Sequence, residues 1–251
     1  MTICQQICKS LDYEGYLASL FYPNYYRNAI WALRSLNAEC ALNEKRILFY
    51  NIDLKQKSTP ITQNLPLLNE YWLSRMMNSK KIHSYRTLED LEEYCEASHS
   101  SLLYLSLEIL GLKEIKIDHV ISHIGKCIGL INTIRGIGPF LVKKKCYIPY
   151  ELLSKHHTSQ EALYRGTTTG LQDIVHELSS RAFQHKETAL DHLNSIPKEA
   201  FLVVLHIIPS LYYITLLEQL QFDITNKDFY KKNQFLLFQL FKSNLLKRIP
   251  R

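Results

Sequence analysis

A chain of 251 residues with 46% hydrophobic side chains can bury a sizeable core, and because no Pro-, Gly- or Ser-rich linker divides it we expect one domain. Thirty Lys and Arg against 24 Asp and Glu give a net charge of +6, a mild excess that suits an anionic membrane surface, a nucleic acid or simple solubility. Most basic residues are scattered and no nucleic-acid-binding motif accompanies them, which argues against a nucleic-acid partner.

The six cysteines indicate reduced thiols in an intracellular compartment. They form no C-x-x-C pair and fall mostly in apolar helical patterns, so we expect neither disulfides nor a zinc site. They are Cys4, Cys8, Cys40, Cys95, Cys127 and Cys146. The first ten residues, MTICQQICKS, carry Lys9 as their only charged side chain and resemble neither a signal peptide nor an Arg-rich presequence. We expect residues 1–10 to form an N-terminal tail and residues 11–248 to form one helical domain.

Helical periodicity dominates the chain, and no alternating run is long enough for a β-sheet. Thr87 and Asp90 form a capping pattern in front of a long helix that should end at Gly111. Isoleucines at spacings of three and four continue a buried face over residues 117–131. The sequence therefore predicts an all-α bundle.

Three helix starts follow in the second half. Thr158 and Glu161 are placed to open a short helix, residues 171–193 to form a long one, and Pro197 to begin the next. Acidic residues around Arg181 on the long helix are expected to form surface ion pairs and not a catalytic group.

The C-terminal third contains two strongly apolar segments. Residues 200–217 carry no formal charge and reach the lower length limit of a membrane span, but His206 and Pro209 interrupt them. We favour a buried core helix and leave a span or a membrane-facing surface as alternatives. The last helix, about residues 233–247, is amphipathic, and we favour a final core helix over an interfacial membrane anchor.

Residues 124–149, IGKCIGLINTIRGIGPFLVKKKCYIP, resemble the second aspartate-rich motif of the squalene/phytoene synthase family. In those enzymes a helix ends in a pattern like L-G-x-A-x-Q-L-T-N-I-L-R-D-V-x-E-D and is followed by G-R-x-Y-L-P. The matching positions are Gly125, Asn132, Ile134, Arg135, Tyr147, Ile148 and Pro149. Gly136 and Phe140 stand where the family carries its two aspartates.

Residues 29–45, AIWALRSLNAECALNEK, resemble the first aspartate-rich motif, but Ala38 and Leu42 stand at the outer aspartate positions and Glu39 is the acidic residue that remains. The family joins two allylic diphosphates through Mg²⁺ held by facing carboxylates, and Mg²⁺ requires such hard oxygen ligands. The resemblance therefore implies a non-enzyme with no metal, no cofactor and no catalytic residue.

Together with residues 12–23 and 100–113, these segments are more similar to a non-enzymatic branch of the family that assists assembly of mitochondrial respiratory complex I, the NADH:ubiquinone oxidoreductase. The resemblance runs from about residue 11 to about residue 247. It implies an all-α, single-domain bundle of the isoprenoid synthase type that acts as a chaperone-like factor on the matrix side of the inner membrane. The implied partners are complex I subunits or assembly intermediates, with peripheral contact with the inner membrane.

A vestigial pocket is expected at Glu39, Asn132, Arg135 and Lys145, which remain where the family handles diphosphate. Arg and Lys can bind phosphate without Mg²⁺, but Arg135 could equally pair with a helix C-terminus or with Glu39. One alternative function is a divergent prenyl-diphosphate transferase, which needs acidic side chains from two helices at one cavity near Arg135. Another is an isoprenoid- or lipid-binding protein, which needs an apolar cavity of about a few hundred Å³ or more.

His119 and His123 are one helical turn apart, but the H-E-x-x-H pattern is absent and a lone pair of imidazoles specifies no metal. Residues 44–71 are short and interrupted by prolines where the family usually has a full helix, so part of the pocket wall is expected to differ.

Overall fold

The computed structural model describes residues 3–42 and 84–250. Within those ranges the regular structure is helical and contains no β-strand, which confirms the all-α prediction. The segment 44–71 lies outside the described residues. Numbered within the described part, the α-helices are α1 Ile3–Leu11, α2 Tyr13–Ser19, α3 Asn24–Leu42, α4 Leu88–Cys95, α5 Ser101–Ile109, α6 Ile115–Val142, α7 Tyr150–Lys155, α8 Gln160–Tyr164, α9 Leu171–Asp191, α10 Phe201–Val204, α11 Ile208–Gln219 and α12 Leu236–Leu246.

The N-terminal segment is helical and packs on the bundle. Helix α1 lies against α3, and the buried Cys8 thiol donates to the Trp31 carbonyl at 3.2 Å. Most of the expected tail, residues 1–10, therefore belongs to a packed helix, because α1 presents an apolar side to α3. Asp12 then caps α2 through a 3.2 Å bond from the Gly15 N–H.

The capping pattern at Thr87 is confirmed. The Thr87 hydroxyl accepts from the Asp90 N–H at 3.2 Å, and the Asp90 carboxylate accepts from the Thr87 N–H at 3.1 Å. Helix α4 continues through one π-helical turn, Glu96–Ser100, into α5. The chain leaves the helix at Gly111, which has a φ of 75°, so the predicted end is correct although the π-turn was not foreseen.

Helix α6 is the central helix and packs most extensively against α9. Most of its isoleucines face the core, and it continues through Pro139 to Val142. Two glycines allow the π-turn to approach α6 closely. A Cβ on Gly125 would lie 2.2 Å from the Ser100 Oγ, and one on Gly129 would lie 2.5 Å from the Cys95 Sγ.

The predicted start of the short helix at Thr158 is wrong by one residue. Ser159 is the N-cap of α8, with its hydroxyl accepting from the Ala162 N–H at 3.1 Å. Thr158 instead uses its own N–H to close the end of α7 on the Leu153 carbonyl at 2.9 Å. The predicted long helix is confirmed as α9, with its inward positions buried.

The two apolar segments have different fates. The stretch Lys198–Gln219 is long and apolar enough to cross a membrane, but 72% of its most apolar window is buried inside the bundle, which confirms the predicted core helix. Helix α12 buries Leu236 and Leu240 against the bundle but leaves Phe238 and Phe241 exposed. The prediction of a final core helix is therefore correct for one side of α12 alone.

Candidate functional site

The structure brings Asn132 and Arg135 of the expected pocket together and leaves Lys145 elsewhere. Arg135 donates to the Asn132 side-chain oxygen at 3.3 Å, one turn apart on α6. Lys145 lines a separate crevice of about 10 Å³ beside Phe140 and Tyr147. Glu39 belongs to α3, but its side chain lies outside the described part of the structure.

Arg135 contacts neighbours on α2 and α11. Its two terminal nitrogens donate to the Glu14 carboxylate at 2.9 and 3.1 Å, and its guanidinium lies 4.0 Å from the centre of the Tyr213 ring. Such a two-pronged pair is among the stronger kinds of ionic hydrogen bond. Among the described side chains the carboxylate partner of Arg135 is therefore Glu14 of α2, while the expected pairing with Glu39 falls on a side chain outside the described part of the structure.

A second ion pair lies beside the first. Asp12 accepts from the Nε of Arg34 at 2.6 Å, and Arg34 is buried. Burial pushes the pKa of Arg34 down, but the charge and hydrogen bond of Asp12 outweigh burial and raise that pKa. Gly15 makes room for this guanidinium, because a Cβ there would lie 1.8 Å from an Arg34 nitrogen.

These groups surround a cavity of about 100 Å³ between α2, α3, α5, α6 and α11. It is lined by Asp12, Glu14, Gly15, Arg34, Asn37, His99, Leu102, Leu103, Ile128, Asn132, His206, Pro209 and Ser210. Binding pockets for drug-sized ligands are about 300–1,000 Å³, whereas this volume suits about three water molecules. The cavity is therefore too small for a prenyl chain.

Polar atoms without protein partners face this region. The Nε2 of His206 and the Oδ1 of Asn37 are buried and have no hydrogen-bond partner. The other ring nitrogen of His206 lies 3.0 Å from the Val203 carbonyl, and burial, with Arg34 as the next cause, lowers the pKa of His206 to about 3. His206 is therefore neutral and offers a lone pair, which a water in the cavity can satisfy.

The described carboxylates do not form a metal site. Asp12 and Glu14 come from the same short segment, and each is paired with an arginine. No group of three or more His, Cys, Asp or Glu in the described part of the chain could hold a metal ion. Where the resemblance places the family aspartates, Phe140 covers Gly136 and packs edge-on against Tyr147 at 4.8 Å. The arrangement braces helices against one another.

His119 and His123 belong to a larger imidazole cluster that the sequence did not indicate. His123 and His185 lie 2.8 Å apart between their Nδ1 atoms, and the ring of His192 lies 5.4 Å from that of His119. The other nitrogen of His185 lies 3.0 Å from the Glu92 carboxylate. If this Nε2 atom of His185 donates to the Glu92 carboxylate, the Nδ1 atom of a neutral His185 ring is the acceptor for the Nδ1–H of His123.

Glu92 connects α4 to α9 through His185 and Arg181. Burial raises its pKa, but hydrogen bonds from His185 and Arg181 outweigh burial and lower it to about 2. Arg181 does form an ion pair, but its partner is Glu92 of α4 and not an acidic residue one turn away on α9, so the expected pairing within the helix is wrong. Glu177 pairs with Lys155 at 2.8 Å instead.

Comparison with known proteins places this geometry in a family. A family model for squalene/phytoene synthase matches residues 63–233. The chain belongs to the squalene/phytoene synthase family. Two solved members show the same fold: a dehydrosqualene synthase, with a TM-score of 0.79, 16% identity and coverage of 97% of this chain and 94% of that one, and squalene synthase HpnC from Alicyclobacillus acidocaldarius, with a TM-score of 0.76, 16% identity and coverage of 88% and 93%.

Relatives that match nearly the whole chain carry a different name from those enzymes. The Bos taurus protein "NADH dehydrogenase (ubiquinone) complex I, assembly factor 6" is 30% identical over 272 residues, covering 98% of this chain and 82% of that protein. The Homo sapiens protein of the same name is 29% identical over 265 residues, covering 95% and 80%. The predicted family and fold are therefore confirmed.

Sequence reasoning missed Asp12, Glu14 and Arg34. An available signal was the Asp-Tyr-Glu-Gly run at a helix start, where a capping aspartate and a glycine occur beside a glutamate. A second signal was an arginine inside the apolar run of α3, since a charge on a buried face requires a partner. The pairing of Glu14 with a residue 121 positions away could not be read from local pattern.

Proposed function

We propose that this chain is a non-catalytic, chaperone-like assembly factor for mitochondrial respiratory complex I. The observation that carries the proposal is the similarity, over 98% of the chain, to a relative named as a complex I assembly factor. The direct partners would be complex I subunits or assembly intermediates, bound on the matrix side of the inner membrane. No particular subunit is favoured by the residues of the site.

The absence of prenyl-transfer chemistry is a second part of the proposal. Mg²⁺, which synthases of this family use, does not fit the described side chains, because Asp12 and Glu14 are already neutralised by Arg34 and Arg135. The site cavity of about 100 Å³ supports the same interpretation. Gly136 and Phe140 at the expected aspartate positions offer no oxygen ligand from their side chains.

The prenyl-transferase alternative required acidic side chains from two helices at one cavity near Arg135. Of the described carboxylates, those at the cavity come from one segment, residues 12–14. The alternative now depends on Glu39, whose side chain is outside the described set, and this makes Glu39 the residue to test.

The lipid-binding alternative is favoured by one specific observation. A larger, mainly apolar cavity of about 520 Å³ lies at the C-terminal end of α6, between α8, the start of α9 and the turn Lys227–Tyr230. Its volume falls in the range of small-molecule sites. This cavity is separate from the one beside Arg135, because Ile137 and Leu141 line it and Asn132 does not.

The test is complex I content, measured on native gels, in cells that lack this protein. Rescue uses the intact chain, Glu39→Ala, and Leu130→Asp as a folding-deficient control, since Leu130 is fully buried, and all three are expressed behind the same mitochondrial presequence. We expect loss of complex I in the deleted cells and restoration by the intact chain and by Glu39→Ala. A normal complex I content in cells without the protein would overturn the assembly function. If rescue requires Glu39, prenyl transfer becomes the favoured function.

A further inference from the structure

Helix α12 is apolar on two opposite sides. Leu236 and Leu240 are buried against the bundle, with 3% and 0% of their surface exposed. On the other side Phe238, Phe241 and Leu245 are 64%, 55% and 69% exposed. Spacings of three and four residues place these three on one stripe, so the helix presents an apolar face to solvent.

The exposed apolar surface extends beyond that stripe. Phe235, Leu237 and Leu246 are also at least half exposed, at 70%, 50% and 54%. Scattered exposed apolar residues are ordinary on a protein surface, but six within a twelve-residue segment form a patch of the kind that marks an interaction site. We call residues 235, 237, 238, 241, 245 and 246 the outer face.

The charge around the outer face is mainly positive. Basic residues are scattered over the chain as a whole, yet residues 227–250 contain six Lys or Arg and one acidic residue, whereas the whole chain has a net charge of +6. The acidic residue, Asp228, is already paired with Lys231 at 2.6 Å. Lys242, Lys247 and Arg248 are exposed beside the outer face.

We propose that the outer face of α12 docks on an anionic lipid bilayer, with the helix lying in the plane of the interface. Apolar side chains flanked by exposed basic groups are the combination that binds acidic lipid headgroups while burying aromatic and aliphatic groups. An eleven-residue helix is about 16 Å long, which is too short to cross a hydrocarbon core of about 30 Å. The docking is therefore peripheral. This inference depends on the proposed function in one respect, which is the identity of the membrane that α12 contacts.

A groove on a partner protein is less favoured than a lipid bilayer as the surface that the outer face contacts. The six outer-face side chains carry no polar group that a protein partner would have to pair, and the surrounding charge selects for an anionic surface. The basic side chains of residues 227–250 provide this charge complementarity.

The experiment is co-flotation of the purified full chain with vesicles of phosphatidylcholine alone and with added phosphatidylglycerol. The double variant Phe238→Ser/Phe241→Ser tests the apolar contact. Its matched control is Tyr25→Ser/Ile115→Ser, two apolar residues exposed by 86% and 88% on α3 and α6. We expect binding that requires phosphatidylglycerol, falls by about tenfold or more in the α12 variant and is unchanged in the control.

The charge contribution is tested separately. Lys242→Gln/Lys247→Gln should weaken binding by on the order of fivefold for each lysine removed, and the control Lys113→Gln/Lys116→Gln should not. Equal binding of the Phe variant and its control would overturn the proposal, as would binding that ignores phosphatidylglycerol. Concentration-dependent self-association that is lost in the Phe variant, without vesicle binding, would assign the face to a second copy of the chain.

The vesicle result is independent of complex I. Vesicle binding together with normal complex I in deleted cells would retain this inference and remove the proposed function. Loss of complex I in deleted cells, with no vesicle binding, would retain the function and remove the docking surface.

Discussion

Two arginines from different helices are each held by an acidic side chain of one short segment. Asp12 pairs with Arg34 and Glu14 pairs with Arg135, so residues 12–14 connect α2 to α3 and to α6. The Arg34 pair is the more buried of the two, and removing one partner of a buried pair costs more than the pair contributes in total, because a lone charge remains. The segment therefore acts as a structural brace.

The imidazole cluster makes stability depend on pH through His123. Burial, followed by the influence of His185, lowers the pKa of His123 from 6.5 to about 4. The unfolded chain gains this proton as the pH falls through 6.5, whereas the folded chain resists it until about pH 4. Stability contributed by neutral His123 is therefore complete above pH 6.5 and is lost as the pH falls towards 4.

We predict that His123→Gln loses less stability on acidification than the parent. Between about pH 7 and about pH 5 the difference should be about 1 to 2 kcal/mol in the free energy of unfolding, measured by urea denaturation. His176→Gln, at an exposed histidine on α9, is the matched control and should follow the parent. Identical pH profiles for His123→Gln and the parent would contradict the prediction.

At the scale of elements, the π-turn Glu96–Ser100 and the glycines of α6 form one feature. The π-turn brings the backbone of Ser100 close to Gly125, where a Cβ would lie 2.5 Å from the Ser100 Cα. Backbone cannot move aside as a flexible side chain can, so any larger residue at 125 must push α5 away from α6. The close packing of α5 against α6 therefore depends on glycine, which has no side chain, at position 125.

Gly125→Ala should destabilise the fold by about 3 kcal/mol, since overpacking outweighs the better helix propensity of Ala. Gly138→Ala on the same helix is the control, because its Cβ would meet only the far end of Tyr230, a half-exposed side chain that can swing away. Thermal unfolding of both variants measures the difference. Equal effects at the two positions would show that close packing at 125 does not limit stability.

Element prediction succeeded where local chemistry decides. The Thr87 capping box, the end at Gly111 and the inward face of α9 depend on neighbours in sequence, and the structure matches them. It failed where a neighbouring element competes, as at Thr158, whose N–H is already used to close α7. The π-turn also depends on α6, which lies later in the chain.

At the scale of the whole molecule, the sequence was sufficient for the family and the helical bundle but not for the site. Asn132 and Arg135 were predicted to share a pocket from the family resemblance, and they contact each other because they are one turn apart on α6. Their partner Glu14 is brought to them by the tertiary fold, and so is Arg34 to Asp12. Cavity volumes were beyond prediction for the same reason, since each is set by four or more separate elements.

The larger cavity gives a whole-molecule prediction. We expect a fluorescent fatty acid to bind the full chain saturably and in a one-to-one ratio. Thr167→Trp, which places a bulky ring in the exposed lining of the 520 Å³ cavity, should weaken binding about fivefold or more. Thr215→Trp, at an exposed position on α11, is the control. Absence of saturable binding, or equal loss in both variants, would remove the lipid-binding alternative.

The brace at residues 12–14 has a consequence for any attempt to introduce synthase chemistry into this chain. The carboxylates of Asp12 and Glu14 lie against the guanidinium groups as the oxygens of a bound phosphate would, so the protein carries an internal substitute for an anionic ligand. Placing aspartates at 136 and 140 would supply metal ligands without freeing either arginine. A diphosphate would still have to displace a carboxylate that belongs to the same chain and is therefore always close to its arginine.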